Sequence, residues 1–139
     1  MRRLVLLVVV ALGLGCGTAP PPAPVPPKSV QVNTPGAAVD VDGTVVVAGY
    51  VTVVDFWSES CGACMVVGGR LAIQVALEPN ILIRKIDVGD GFTPVAKAYE
   101  IGALPHFRVY DKHKRMRYEL VGNDCLKAPE IARQLVAEP

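Results

Sequence analysis

Val53-Val54-Asp55-Phe56-Trp57-Ser58-Glu59-Ser60-Cys61-Gly62-Ala63-Cys64 sets an apolar, β-branched run, ending in an acid and two aromatics, directly before two cysteines separated by two residues. A long apolar segment follows. This order predicts a buried strand, a short loop and a helix that opens at Cys61. A sulfur at that helix start lies over free backbone N–H groups and the positive end of the helix dipole, which favours thiolate over thiol. Cys64, at i+3, falls one turn later on the same face. Two sulfurs so placed can close into a disulfide and open again, the outer one being the better nucleophile. An inert structural disulfide and half of a metal site are the other uses of such a pair.

Outward from this stretch, Val51 to Trp57 reads as the central strand, apolar on both faces as far as Asp55, which suits a strand covered on both sides. A carboxylate at Asp55 is costly there unless paired or protonated. The helix from Cys61 to about Leu77 is interrupted by Gly68-Gly69, which either bend it or pack against a neighbour, and Glu78-Pro79-Asn80 ends it. Ile81 to Val88 makes the next strand, and Thr93-Pro94 opens a short helix to about Tyr99 in the preferred cap and first-turn order. Phe107 to Tyr110 and Met116 to Val121 are two further strands, joined by the basic segment Asp111-Lys112-His113-Lys114-Arg115, which reads as a solvated turn rather than a docking patch. Pro129 to Ala137 forms a last helix with Ile131, Leu135 and Val136 on one side. Upstream, Val30 to Val32 is a short strand, and Val39-Asp40-Val41-Asp42-Gly43-Thr44-Val45-Val46-Val47 shows no helical period and reads as a hairpin around Asp42-Gly43. Strands alternating with helices, then an antiparallel pair, predict an α/β fold with a mixed central sheet and helices on both faces.

From about residue 45 to the end, the chain resembles the thioredoxin superfamily. The likeness rests on four features in order: Asp55-Phe56-Trp57, the Cys61 and Cys64 pair, the strand ending Lys85-Ile86-Asp87, and Ile101-Gly102-Ala103-Leu104-Pro105 followed by a strand. Ser60 stands where the family usually has a second tryptophan, and Ala63 where it usually has proline. A hairpin at residues 39–47 is similar instead to the membrane-anchored thioredoxin-like reductases of bacterial cell envelopes. The resemblance implies a thioredoxin-like fold and a thiol-disulfide oxidoreductase that needs no cofactor or metal and acts on protein thiols and disulfides. Cys61 would attack a partner disulfide and Cys64 would resolve the mixed disulfide. Asp55 would exchange a proton with Cys64, and Lys85 would face Asp55 from the adjacent strand; a buried ion pair without a catalytic role is the alternative for both. Pro105 would be cis, with Leu104 offering a backbone edge to an extended substrate; a trans loop proline is the alternative. Trp57 would shield the site or simply pack. Reduction rather than oxidation is the direction implied by the Asp55 and Trp57 setting.

Four cysteines in 139 residues, 51% of them hydrophobic, with a formal charge of +1, fit one globular domain with appendages and give no electrostatic reason to bind nucleic acid. Met1-Arg2-Arg3 and the apolar run from Leu4 to Leu14 have the charged and hydrophobic regions of an export signal. The run is too short for a spanning helix, which needs about 20 residues. Gly15-Cys16 resembles a lipoprotein cleavage site, although Gly13 stands where leucine is usual. Residues 1–15 are therefore read as a signal peptide, Cys16 as a lipidation site, 16–28 as a Pro-rich linker and 29–139 as the domain; ordinary secretion, since Gly13 and Gly15 also suit a small-x-small cleavage site, and an uncleaved anchor are the alternatives. The proline run up to Pro27 favours polyproline II, and about ten such residues would reach roughly 30 Å as a semi-rigid stalk; a disordered spacer with no required reach is the alternative. The expectation is a monomer tethered by lipid in the cell envelope, facing the periplasm or the extracellular side, and recharged by a membrane electron donor. The alternative is a binding protein, either a metallochaperone using Cys61, Cys64 and His106 or a redox-inactive adaptor. Cys125 reads as a small buried hydrophobe.

Overall fold

A computed structural model describes residues 19–139. The signal-peptide and Cys16 expectations fall outside the described residues. Within them, no helix is long and apolar enough to cross a membrane.

The chain forms β1 (Ser29–Gln31), a single π-type helical turn (Val41–Val45), β2 (Val51–Trp57), α1 (Gly62–Gln74), β3 (Ile81–Asp87), α2 (Pro94–Ala98), β4 (His106–Tyr110), β5 (Met116–Val121), a 3-10 turn (Gly122–Lys127) and α3 (Ala128–Ala137). The strands lie in the order β1-β3-β2-β4-β5. β1, β3 and β2 run parallel, while β4 is antiparallel to β2 and β5 to β4. With neighbours on both edges, β2 is buried along nearly its whole length.

Strand alternation sends side chains to two cores. Val51, Val53, Ile81, Ile83, Phe107 and Val109 pack under α1 and α3, which contribute Val67, Leu71, Ala128, Ala132 and Leu135, with Val75 just past the end of α1. On the opposite face Val54, Phe56, Ile86 and Tyr110 meet Val41 and Val45 of the helical turn, Val46 just after it, and Val95 and Ala96 of α2. The fold is thioredoxin-like, a mixed five-stranded sheet with helices on both faces.

The hairpin expected at residues 39–47 is absent. Asp40 turns the Asp-Gly segment into a helix cap. Its carboxylate accepts from Gly43 N at 2.9 Å and its carbonyl from Thr44 N at 3.0 Å, while Val41 O accepts from Val46 N at 3.0 Å. Val41 and Val45 then point together into the core, which an alternating strand pair would not allow. The likeness to envelope reductases that rested on this hairpin loses its structural basis. Two smaller differences concern helix ends. α1 stops at Gln74, leaving Leu77 95% exposed beyond it. The 3-10 turn before α3 has only Cys125 buried, so it carries no apolar period to read.

Candidate active site

β2 delivers the chain to the sheet's end at Trp57, and Ser58 to Ser60 carry it across to α1. Cys61 is the N-cap of α1: its sulfur accepts from Cys64 N at 3.1 Å, so one of the helix's unpaired donors points at this sulfur. Cys61 and Cys64 are joined as a disulfide with Cα atoms 5.3 Å apart. Cys61 is half-buried at the surface, whereas Cys64 is 2% exposed beneath it. An incoming sulfur can therefore reach Cys61 and is kept from Cys64.

Behind the pair sits Asp55, 1% exposed, its Oδ1 without a hydrogen-bond partner. Burial pushes its carboxyl up to about 7, against a smaller opposing pull from Lys85. Lys85 is the register partner of Asp55 on β3. Its ammonium is not ion-paired to Asp55 among the described residues; it stands 3.9 Å above the centre of the Trp57 ring. Trp57 also donates from Nε1 to Gln31 Oε1 at 2.9 Å. Gln31 and Lys85 thus fix the indole from β1 and β3, a clamp legible only once the strand order is known. A cavity of about 240 Å³ runs from Cys64 and Asp55 past Gly68 to Lys85.

The Leu104-Pro105 peptide is cis. Pro105 O accepts from Gly122 N at 2.8 Å, and Leu104 is half-buried. The free thiol of Cys125 is 1% exposed and donates to Leu120 O at 3.2 Å; burial raises it to about 11, which suits a packing role. His106 does not complete a set with the two cysteines. Its Nε2 lies 2.9 Å from Glu119 Oε1, its ring stands edge-on to Phe56, and no group of metal-ligating side chains gathers among the described residues. Ser60, in the place of the second tryptophan, leaves a depression of about 400 Å³ lined by Pro35, Glu59, Asp87 and Asp90. Gly68, read on sequence only as part of a bend or a packing contact, is a site residue that the reading missed; glycines inside a helix were the signal.

The sequence profile of the family described as Thioredoxin matches residues 40–134. A thioredoxin of Mycoplasma pneumoniae is 33% identical over 60 residues, covering 43% of this chain and 58% of that protein. The match thus spans little more than half the length of that curated relative. Among solved structures, Malassezia sympodialis thioredoxin is 26% identical with a TM-score of 0.58, covering 81% of this chain and 96% of the other. Oxidised Plasmodium falciparum thioredoxin has a TM-score of 0.57 at 21% identity, covering 79% and 98%.

Proposed function

Because this chain belongs to the thioredoxin family, we propose that it is a thiol-disulfide oxidoreductase whose redox pair is Cys61 and Cys64. The observation that carries the reading is the asymmetry of the pair, one residue accessible at a helix N-cap and the other buried on a cavity it shares with Asp55. Starting from the dithiol, the Cys61 thiolate attacks one sulfur of a partner disulfide, and the partner's other sulfur leaves as a thiolate that takes up a proton. Cys64 then gives its proton to Asp55 and attacks Cys61, forming the intramolecular disulfide and releasing the second partner thiol. Two electrons pass to the partner. An acceptor whose pKa lies near the working pH is the effective one for such a transfer, and burial gives Asp55 that value. Leu104, beside Pro105, offers the edge on which an extended substrate lies, and Trp57 borders it.

The finer reading is a reductant in the cell envelope, acting on disulfides of envelope proteins as a monomer, tethered through lipid on Cys16 and recharged by a dithiol donor in the membrane. The N-terminal Arg2-Arg3, the apolar run and Gly15-Cys16 support the tether. Direction of electron flow is read from the reduction potential of the pair, near about −270 mV for a reductant and about −120 mV for an oxidant.

Cys64→Ala should trap partners as mixed disulfides through Cys61, and Cys61→Ala should trap almost none. Trapping that depends on Cys64, or none with either variant, overturns the assignment. Cys16→Ser should leave unprocessed precursor without lipid label; a soluble, unlipidated mature form from the native sequence would sink the tether.

A further inference from the structure

Glycine is, after proline, the least favourable residue inside a helix, and α1 carries Gly68 and Gly69 in succession. Their surroundings differ. A Cβ on Gly69 would meet nothing within 4 Å, whereas one on Gly68 would lie 3.0 Å from Asp55 Oδ2. The adjoining cavity of about 240 Å³ is lined by Asp55, Cys64, Gly68, Gly69, Ala72 and Lys85 among others, Gly68 being the one of the two glycines set against the carboxyl. That is ample room for water, which needs only about 10–15 Å³ in a polar site. Asp55 Oδ1 has no partner among the described residues. The titratable groups around this carboxyl are Cys64 from α1, Lys85 from β3 and Cys125 from the 3-10 turn; β4 places Phe107 opposite it.

We propose that Gly68 is a positioning residue: by presenting no side chain it leaves the Asp55 carboxyl beside Cys64 and open to water in this cavity, so that the proton taken from Cys64 passes on to solvent between α1 and β3. The inference rests on the reading of Asp55 as the proton acceptor of Cys64. The path is Cys64 Sγ to an Asp55 oxygen to cavity water, with no electrons moved. A methyl group at position 68 must either displace the carboxyl or strip water from it. Both hinder proton release, and neither touches Cys61 at the helix start.

Stopped-flow reduction of a protein disulfide such as insulin by the full chain, followed across the neutral pH range, separates mixed-disulfide formation from its resolution. For Gly68→Ala the first rate should stay at the parental value. The second should fall about tenfold near neutrality, its pH midpoint moving up by about one unit as a more desolvated carboxyl requires. Ile73→Ala, at an exposed α1 position outside the lining of this cavity, should keep both rates and the midpoint, and Gly68→Ala should add nothing in an Asp55→Asn background. A parental midpoint in Gly68→Ala, equal shifts in the two alanine variants, or an effect that persists without Asp55 overturns the inference. Should Gly68→Ala not fold, Ala72→Leu narrows the same cavity from the exposed side of α1 and should raise the midpoint; an unmoved midpoint there also overturns it. If Asp55→Asn itself resolves at the parental rate, the Asp55 reading falls and this inference with it. A slow Asp55→Asn beside an unaltered Gly68→Ala removes this inference alone.

Discussion

Desolvation holds the Asp55 carboxyl at about 7 in the folded chain, against about 3.9 for an unperturbed aspartate. The folded state therefore keeps this proton where the unfolded chain has released it. Its contribution to stability is greatest below about pH 4, declines as pH rises towards 7, and is constant above that. Asp55→Asn removes the ionisation penalty. It should be more stable than the parent at pH 8 by up to about 4 kcal/mol, given about 1.4 kcal/mol for each pH unit between the two values, and much closer to it at pH 4. Resolution of the mixed disulfide should slow at the same time. Denaturant unfolding at both pH values, beside stopped-flow kinetics, checks this. Lower stability at both pH values with an unchanged exchange rate would make Asp55 a structural group. Lys85 does not alter the sign, because its ammonium rests on Trp57 and only partly offsets the burial.

Two elements show how a local reading meets its surroundings. The turn between β4 and β5, basic in sequence, is organised by an acid. Asp111 is 3% exposed, and its Oδ1 accepts from His113 N at 2.9 Å and Arg115 N at 3.0 Å, while its Oδ2 pairs with Arg115 at 2.8 Å. Desolvation alone would raise its pKa. The hydrogen bonds from Arg115, His113 and Arg117 outweigh it and hold the group at about 2. This stabilisation is present above about pH 4 and is lost as pH falls towards 2. Asp111→Ala should cost about 1–3 kcal/mol near neutrality, and its acid unfolding curve should lack the parent's loss of stability in that window. In α1, the space around Gly69 is open, so Gly69→Ala should raise stability by about 0.5–1 kcal/mol. A fall in its thermal midpoint would mean that the helix needs a bend at this position.

For the molecule as a whole, the hydrogen bonds that tie the N-terminal segment to β3 and the turn before it begin at Pro27 and Lys28. Ile83 N donates to Lys28 O at 2.8 Å, Arg84 to Pro27 O at 3.0 Å, and the Lys28 ammonium to the carbonyls of Glu78 and Ile81. Residues 19–26 belong to neither core cluster. Removing residues 1–26 should change unfolding free energy by no more than about 0.5 kcal/mol, as for changes away from the core. Lys28→Ala in the full chain should cost about 1–2 kcal/mol, because two carbonyls lose a charged donor. A large loss on truncation would show that the proline-rich segment is part of the fold.

Sequence alone determined the strand, loop and helix around the cysteine pair, the three later strands, the Thr93-Pro94 helix start and the sheet's class. Those signals act within a few residues: strand alternation, a cap next to proline, an apolar run ended by Glu-Pro-Asn. Tertiary structure decided the rest. Whether Val39 to Val47 pairs as strands or turns once as helix depended on a core that needed Val41, Val45 and Val46 together. The family resemblance set Lys85 opposite Asp55 and the register does pair them, but only the packed position of Trp57 drew its charge onto the ring. His106 was bound to Glu119 by the antiparallel pairing of β4 and β5, not by anything adjacent in the chain. Asp55 Oδ2 lies where a side chain on Gly68 would press on it, and a pattern read along one strand or one helix carries no record of how closely a side chain on one nears the backbone of the other.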